Sequence, residues 1–309
     1  MNLSILGIYL RGIAMGTADL VPGVSGGTIA LITGIYTRLI SAIASIGPSV
    51  LSLVLRGKIL EAWKTLDGQF LAILAAGIAT AVIVLAVALD WLLQHYPLPL
   101  WATFSGLVMA SAVSLVNDNY RHWTAREWSL FLLGIAVALF VGLTQAVQLP
   151  LTPLNIFMAG SLAICAMILP GISGSFLLLL MGMYQPVISA IVNFEFTTLG
   201  LFALGCVVGL LLFSRLLQRL LLIAEQPTMA MLFGFLLGSL VMLWPWQVAV
   251  SSVVDRHGEM RAVQTIPVMP SQFEEQVGDP MLLLSIGGFV AGVVAVRLLM
   301  SISREQGEP

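Results

Sequence analysis

The sequence predicts an all-α integral membrane protein built as an inverted repeat, each half a re-entrant helical hairpin followed by three transmembrane helices. Three observations predict this class: a strongly apolar composition, six long apolar segments, and a motif that occurs twice. Of the 309 residues, 59% are hydrophobic and 9% are charged, and the mean hydropathy is +1.02. Soluble domains are about 45–50% apolar and about 25% charged. The net charge of −2 offers no basic surface, so no nucleic-acid partner is expected.

The apolar segments predict the individual helices. A helix needs ~20 mostly apolar residues to cross the hydrocarbon core. Six segments meet this requirement: residues 70–93, 100–117, 128–147, 199–222, 228–245 and 281–300. Two further apolar blocks, 3–47 and 154–194, are each interrupted by Pro-Gly-x-Ser-Gly. Because proline removes a backbone donor and glycine loosens a helix, each block is expected to form two helices joined at a turn.

The interruption belongs to a motif that the chain carries twice. Residues 20–36 and 168–184 share the pattern Pro-Gly-x-Ser-Gly followed by Gly-x-Tyr, at an offset of 148 residues. The four residues expected at the hairpin turns are Pro22, Gly23, Pro170 and Gly171. The duplication predicts one transmembrane domain with repeat halves of about 1–150 and 151–309.

The distribution of basic residues predicts the topology. With the N-terminus in the cytoplasm and each hairpin returning to its own side, the positive-inside rule is satisfied. The basic residues then placed in the cytoplasm are Arg38, Arg56, Lys58, Lys64, Arg121, Arg126, Arg215, Arg219, Arg297 and Arg304. The loop at about 246–279 is expected to be extracytoplasmic, and both termini cytoplasmic. Three crossings after each hairpin bring the second half in from the opposite face, which is typical of alternating-access carriers.

The hairpin turns are candidates for binding an anion. A helix that restarts after Pro-Gly has unpaired backbone N–H groups, glycines allow close approach, and hydroxyls add donors. Two such tips meeting near the bilayer midplane would form a cradle for phosphate or carboxylate. The residues expected to contribute are Ser25, Gly26, Gly27, Thr28, Ser173, Gly174 and Ser175. In the alternative, the serines only cap their helices and the glycines only allow close packing.

Charged residues distinguish the first hairpin from the second. Arg11 and Asp19 lie in apolar surroundings, and their counterparts are Ala159 and Met167. Arg11 could contact an anionic head group and Asp19 could take up a coupled proton; alternatively, the two neutralise each other, or Arg11 reaches the interface. Arg38 is interpreted first as a topological anchor and second as a phosphate contact.

The remaining polar chemistry is sparse. Cys165 and Cys206 lie in apolar stretches, and the three histidines are scattered. No disulfide, metal or cofactor is therefore expected.

These motifs resemble those of the polyprenyl-phosphate transporter family of bacterial membrane proteins. The resemblance covers essentially the whole chain and rests on Arg11-Gly12, residues 18–28, Gly34-Ile-Tyr36, residues 170–175 and Gly182-Met-Tyr184. It implies a flippase, not an enzyme, in the bacterial cytoplasmic membrane, which moves undecaprenyl phosphate from the outer to the inner leaflet for cell-envelope synthesis. We expect the transport to be ion- or proton-coupled, and the resemblance implies undecaprenyl phosphate and membrane lipid as partners. A homo-oligomer is compatible with this interpretation.

Two other functions compete with this interpretation. Pro-Gly-x-Ser also resembles a motif of membrane undecaprenyl-pyrophosphate phosphatases, but there an arginine follows the serine. Gly26 and Gly174 hold that place here, and no intramembrane pair of glutamates is evident. A carrier of a small soluble anion is the third possibility, and the scarcity of polar residues in the crossing helices disfavours it.

Overall fold

The fold is described by a computed structural model that covers residues 4–19, 25–144, 147, 149–254 and 260–305. The predicted turn residues Pro22 and Gly23 lie outside the described residues.

Helices dominate both halves of the chain, as the apolar composition predicts. The helices before residue 150 are α1 (Ile5–Asp19), α2 (Gly26–Ile32), α3 (Tyr36–Ala44), α4 (Pro48–Leu55), α5 (Ile59–Thr65), α6 (Gly68–His95), α7 (Pro97–Asn119) and α8 (Ala125–Leu143). Those after it are α9 (Pro153–Ile168), α10 (Gly174–Leu180), α11 (Tyr184–Val192), α12 (Phe196–Ile223), α13 (Glu225–Gly238), α14 (Leu240–Leu243), α15 (Pro270–Gln276) and α16 (Leu282–Glu305). Two strands, β1 (Gln247–Val254) and β2 (Met260–Pro267), form an antiparallel pair. The prediction of an all-α membrane protein is confirmed, with this pair as its exception.

A helix occupies most of each of the six predicted spanning segments. Within the described ranges, four helical stretches are long and apolar enough to cross a membrane: Pro97–His122, Ala125–Leu143, Phe196–Ile223 and Glu225–Leu243. Three bent helix pairs also reach that length, and one of them joins α5 to α6 at 70°. In α16, Leu282–Arg297 is a shorter apolar helix. The chain is therefore a multi-pass membrane protein.

The expectation of two helices per hairpin block is wrong, because each block contains three. α2 and α10 end after seven residues, where Gly34 and Gly182 adopt φ values of +73° and +69°. The amide three residues beyond each helix bonds back to its last turn, from Ile35 to the Ala30 carbonyl and equivalently in the second block. This is the Schellman arrangement, which favours glycine at the left-handed position. The chain then turns, by 110° between α10 and α11.

Helix boundaries repeat along the chain at fixed spacings. α2 and α10 begin at Gly26 and Gly174, 148 residues apart, and α3 and α11 keep this spacing. α6 and α12 each have 28 residues and begin 128 residues apart, at Gly68 and Phe196. The spacing falls because α4 and α5 lie between α3 and α6 in the first half alone. The duplication therefore extends to secondary structure, while the inverted orientation of the halves stays a prediction.

Close glycine contacts hold equivalent helix pairs together. A Cβ on Gly12 of α1 would lie 2.3 Å from the Leu74 carbonyl oxygen of α6. A Cβ on Gly160 of α9 would lie 2.3 Å from the Phe202 carbonyl oxygen of α12. Both pairs pack backbone against backbone, as small residues allow in membrane helices.

The chain folds into two compact units, each of which draws on both repeat halves. The first, here called the hairpin unit, comprises Asn2–Ala86 and Gln148–Met229. The second, called the strand unit, comprises Val87–Val147 and Ala230–Pro309. Both motif copies fall in the hairpin unit. The predicted boundary near residue 150 divides the sequence into its two repeats, but it does not separate the two compact units.

The predicted loop at 246–279 contains the two strands and α15. It is attached to the strand unit by indole hydrogen bonds, from Trp244 Nε1 to the Val268 carbonyl (2.8 Å) and from Trp246 Nε1 to the Pro280 carbonyl (2.9 Å). Trp246 also packs with Leu98 and Phe273 in a small apolar cluster. Its extracytoplasmic location stays a prediction.

Candidate functional site

The tips of the two hairpins contact each other directly in the hairpin unit. The Ser25 hydroxyl donates to the Met167 carbonyl at 2.8 Å, and the Gly171 amide donates to Thr28 Oγ1 at 2.9 Å. Both hydroxyl-bearing side chains are buried, each with 1% exposure. The two copies of the motif therefore meet, as predicted, and hydrogen bonds join them.

The end of α9 explains why these hydroxyls are required. The last carbonyls of a helix have no partner within the helix. In α9, the Met167 carbonyl accepts from Ser25, and the Ile168 carbonyl accepts from the Tyr36 hydroxyl at 3.3 Å. Tyr36 is also buried. Side chains of the first hairpin thus satisfy backbone groups at the break of the second.

Gly27 allows this approach because it has no side chain. A Cβ at this position would lie 2.4 Å from the Ile168 carbonyl oxygen and 3.1 Å from that of Met167. Any larger residue would separate the tips. Close packing, which was the alternative interpretation of the glycines, therefore describes Gly27.

Asp19 binds the start of α2. Its Oδ1 accepts from the Gly26 amide at 2.6 Å, and a Cβ on Gly26 would lie 2.6 Å from Oδ2. Ser25 caps the same helix, since its hydroxyl also accepts from the Gly27 amide at 3.1 Å. The Gly26 amide, which the sequence predicts to bind an oxyanion, therefore binds the carboxylate of Asp19.

The second tip carries a different arrangement. Ser173 caps α10 by accepting from the Phe176 amide at 3.4 Å. Its hydroxyl lies 2.9 Å from that of Ser175, and Ser175 is exposed. Gly174 is buried against the Ala163 carbonyl of α9, and Pro170 is buried beside the turn. Both predicted caps, at Ser25 and Ser173, are present.

Arg11 lies away from the tips. Its Nε donates to the Thr33 carbonyl at the end of α2 (3.1 Å), and its guanidinium also donates to the Gly7 carbonyl (3.3 Å). At 1.5 Å per residue, eight residues of α1 separate Arg11 from Asp19 by about 12 Å. The structure therefore does not bring these two residues together at the start of α2.

Arg38 forms an ion pair that the sequence analysis missed. Its Nε and Nη2 donate to the two carboxylate oxygens of Asp67, at 2.6 and 3.0 Å. Its guanidinium also lies 4.3 Å from the centre of the Phe70 ring. These contacts favour its interpretation as an anchor. No local pattern indicates Asp67 as its partner, since 29 residues separate them.

An apolar cavity of about 270 Å³ adjoins the first tip, within the hairpin unit. Gly26, Gly27 and Met167 lie on its wall with side chains from α1, α3, α6, α9 and α12. Asp19 is the one ionisable residue among the described residues that line it. In the same described regions, no three His, Cys, Asp or Glu side chains cluster to hold a metal.

The fold and this site define an all-α, multi-pass membrane protein in which two broken hairpins bond tip to tip. A family model described as undecaprenyl phosphate translocase-like matches residues 15–261. The chain belongs to this family, as the resemblance of its motifs predicted.

Two curated relatives agree with this assignment. A polyprenyl-phosphate transporter of Vibrio cholerae is 40% identical over 306 residues, covering 98% of this chain and 97% of the relative. A polyprenyl-phosphate transporter of Staphylococcus aureus is 33% identical over 254 residues, covering 76% and 85%. No solved structure matches the chain. The family and both relatives are described as translocases or transporters, in agreement with the expectation that the chain is not an enzyme.

Proposed function

We propose that this protein moves undecaprenyl phosphate from the outer to the inner leaflet of the bacterial cytoplasmic membrane. Carrier lipid returned in this way is reused in cell-envelope synthesis. Both termini face the cytoplasm, and the halves form an inverted repeat that works by alternating access. The observation that carries the proposal is the contact of two hairpin tips around a backbone amide that binds a carboxylate.

The phosphate head group competes with Asp19 for the first tip. The Gly26 amide and the Ser25 and Thr28 hydroxyls supply donors on one side, and Ser173 and Ser175 supply hydroxyls on the other. Donors fixed in place offset the cost of removing a charged phosphate from water. Asp19 takes up a proton when the phosphate displaces it, which couples transport to a proton gradient.

Transport requires the two tips to separate. Three hydrogen bonds join them, donated by Ser25, Tyr36 and the Gly171 amide. At a net ~0.5–1.5 kcal/mol each, their loss costs about 2–5 kcal/mol. A state of that free energy is a sparsely populated conformation that a ligand can select. Arg11, about 12 Å along α1 from Asp19, meets the phosphate after it leaves the tips.

Leaflet exchange of labelled undecaprenyl phosphate in proteoliposomes tests the proposal. Thr28→Val keeps the size of the side chain but removes the acceptor for the Gly171 amide. Thr33→Val is the matched control, because the Thr33 hydroxyl donates to the Ile29 carbonyl, four residues earlier in the same hairpin. Slower exchange is expected for Thr28→Val, because the phosphate loses the Thr28 hydroxyl as a donor, and wild-type exchange is expected for Thr33→Val.

Two outcomes would contradict the proposal. Equal rates for both threonine variants would remove the tips from the transport pathway. Phosphate release from undecaprenyl pyrophosphate, without leaflet exchange of the monophosphate, would establish a phosphatase instead.

A further inference from the structure

A second cavity, in the strand unit, has the features of a binding site for hydrocarbon. It measures about 460 Å³ and is lined by residues of α7, α14 and α16, by the chain just before β1 and by the end of β2. Ligand pockets commonly measure ~300–1,000 Å³ and combine apolar walls with a few polar groups. The lining residues are Ala102, Ser105, Met109, Leu240, Val241, Trp244, Pro245, Trp246, Pro267, Ser285, Ile286 and Phe289.

Its two hydroxyl groups are used differently. Ser105 donates to the Leu243 carbonyl at 2.6 Å, which satisfies the end of α14. Ser285 is buried, with 1% exposure, and its hydroxyl has no hydrogen-bond partner among the described residues. A buried hydroxyl without a partner is costly, and native proteins rarely retain one without a reason.

A buried water molecule is a poor candidate for the missing partner of the Ser285 hydroxyl. A buried water is held by two to four polar partners. The surrounding side chains are apolar apart from Ser105, whose proton is already donated, and two tryptophans whose indole N–H groups bond to carbonyls elsewhere. The rings of Trp244 and Trp246 lie 5.5 Å apart at 70° and form a fixed wall. The ligand is therefore mainly hydrocarbon with weak acceptor character.

We propose that this pocket binds part of the polyprenyl chain of the transported lipid. The proposal rests on the proposed function and adds to it a site for the tail, separate from the hairpin tips. The double bonds of a polyprenyl chain can accept a weak hydrogen bond from Ser285, whereas a saturated chain cannot. Binding of the tail here fixes the lipid in the protein, and a longer chain binds more tightly because it buries more apolar surface in the pocket.

Binding of three lipid phosphates to the purified full-length protein tests this site. The ligands are undecaprenyl phosphate, the short geranyl phosphate, and the saturated hexadecyl phosphate. Ser285→Phe fills the pocket, and Leu283→Phe is its control, since Leu283 lies on the same helix and is 88% exposed. The wild type and Leu283→Phe should bind undecaprenyl phosphate at least about tenfold more tightly than geranyl phosphate, ~1.4 kcal/mol. Ser285→Phe should lose this difference and retain the weaker affinity.

Several results would overturn the tail site. If Ser285→Phe keeps the full dependence on chain length, the pocket does not bind the tail, although the proposed function stands. If hexadecyl phosphate binds as tightly as undecaprenyl phosphate, the preference for a polyprenyl chain is wrong. If the wild type binds none of the three, the proposed function fails together with the tail site.

Two further measurements do not depend on the folding of Ser285→Phe. Undecaprenyl phosphate with a photoreactive group in its tail should label the wild type within residues 102–109, 240–246 or 285–289, and labelling only elsewhere would overturn the site. Ser285→Ala should raise the unfolding temperature of the free protein and reduce the further increase caused by undecaprenyl phosphate. An unchanged increase would mean that Ser285 has no contact with the lipid.

Discussion

Replacing Gly27 with alanine should separate the two hairpin tips while leaving every polar group of the first tip in place. The added Cβ would lie 2.4 Å from the Ile168 carbonyl oxygen, where an ordinary contact needs at least 3.4 Å. That neighbour is backbone, so it cannot rotate away. The tips must therefore move apart by about 1 Å.

This displacement is enough to break the hydrogen bonds between the tips. Two of the three bonds, from Ser25 to Met167 and from Gly171 to Thr28, measure 2.8 and 2.9 Å. One more ångström takes both beyond hydrogen-bonding distance, to about 3.8–3.9 Å. With one buried group left unsatisfied for each of these two bonds, at ~1–3 kcal/mol each, Gly27→Ala should lower the free energy of unfolding by about 2–6 kcal/mol.

Thiol labelling during heating measures this loss in the unit where it occurs. The chain has two cysteines, and both lie in the hairpin unit, where Cys165 bonds to the Gly209 carbonyl and Cys206 to that of Gly160. A dye that fluoresces on reacting with thiols therefore reports the unfolding of this unit. Gly27→Ala should unfold at a clearly lower temperature. It should also exchange lipid more slowly, because the transport cycle needs the tips to rejoin as well as to separate.

Gly200→Ala is the matched control for this prediction. Gly200 lies in α12 of the same unit, and a Cβ there meets nothing within 4 Å. Because alanine favours helix by up to ~1 kcal/mol, this variant should unfold at the wild-type temperature or above. Equal unfolding temperatures for Gly27→Ala and Gly200→Ala would refute the proposed close contact of the tips.

Three other substitutions test the proposed roles of Asp19 in proton coupling, of Arg38 as an anchor, and of Gly34 in the backbone turn. Asp19→Asn keeps an oxygen for the Gly26 amide but cannot release a proton; lipid exchange should persist and lose its dependence on an imposed pH gradient, and a retained dependence would exclude Asp19 as the coupling site. Arg38→Lys loses the paired bonds to Asp67 and should lower stability by about 1 kcal/mol or less without slowing exchange; slowed exchange with unchanged stability would instead indicate phosphate contact. In Gly34→Ala the added Cβ meets no neighbour, but the alanine must adopt the left-handed φ of +73°. This backbone strain should lower the free energy of unfolding by ~1–2 kcal/mol, and an unchanged unfolding temperature would contradict it.

The periodic and compositional features of the fold could be predicted from the sequence. Long apolar runs located a helix in each of the six predicted segments, and the repeated Pro-Gly-x-Ser-Gly located both hairpins. The second break in each hairpin was missed, although Gly34 and Gly182 occupy equivalent places in the motif. An apolar run around one glycine is compatible with a continuous helix, and only the left-handed backbone conformation distinguishes the two.

The residues of the site could be predicted better than their partners. Ser25 and Ser173 are helix caps, as their position after Pro-Gly indicates. Nothing local shows that the Ser25 hydroxyl donates to Met167, 142 residues away. Tyr36 was missed as a contact, although the tyrosine of the motif recurs at Tyr184. Such contacts depend on the tertiary packing of the two hairpins.

The central claim is that this protein moves a lipid phosphate between leaflets by separating the two hairpin tips. Its most direct test places labelled undecaprenyl phosphate only in the outer leaflet of proteoliposomes and measures its loss from that leaflet, together with phosphate release. The wild type should exchange the lipid faster than protein-free vesicles, without phosphate release, and Gly27→Ala should be slower. Exchange no faster than in protein-free vesicles would contradict the account.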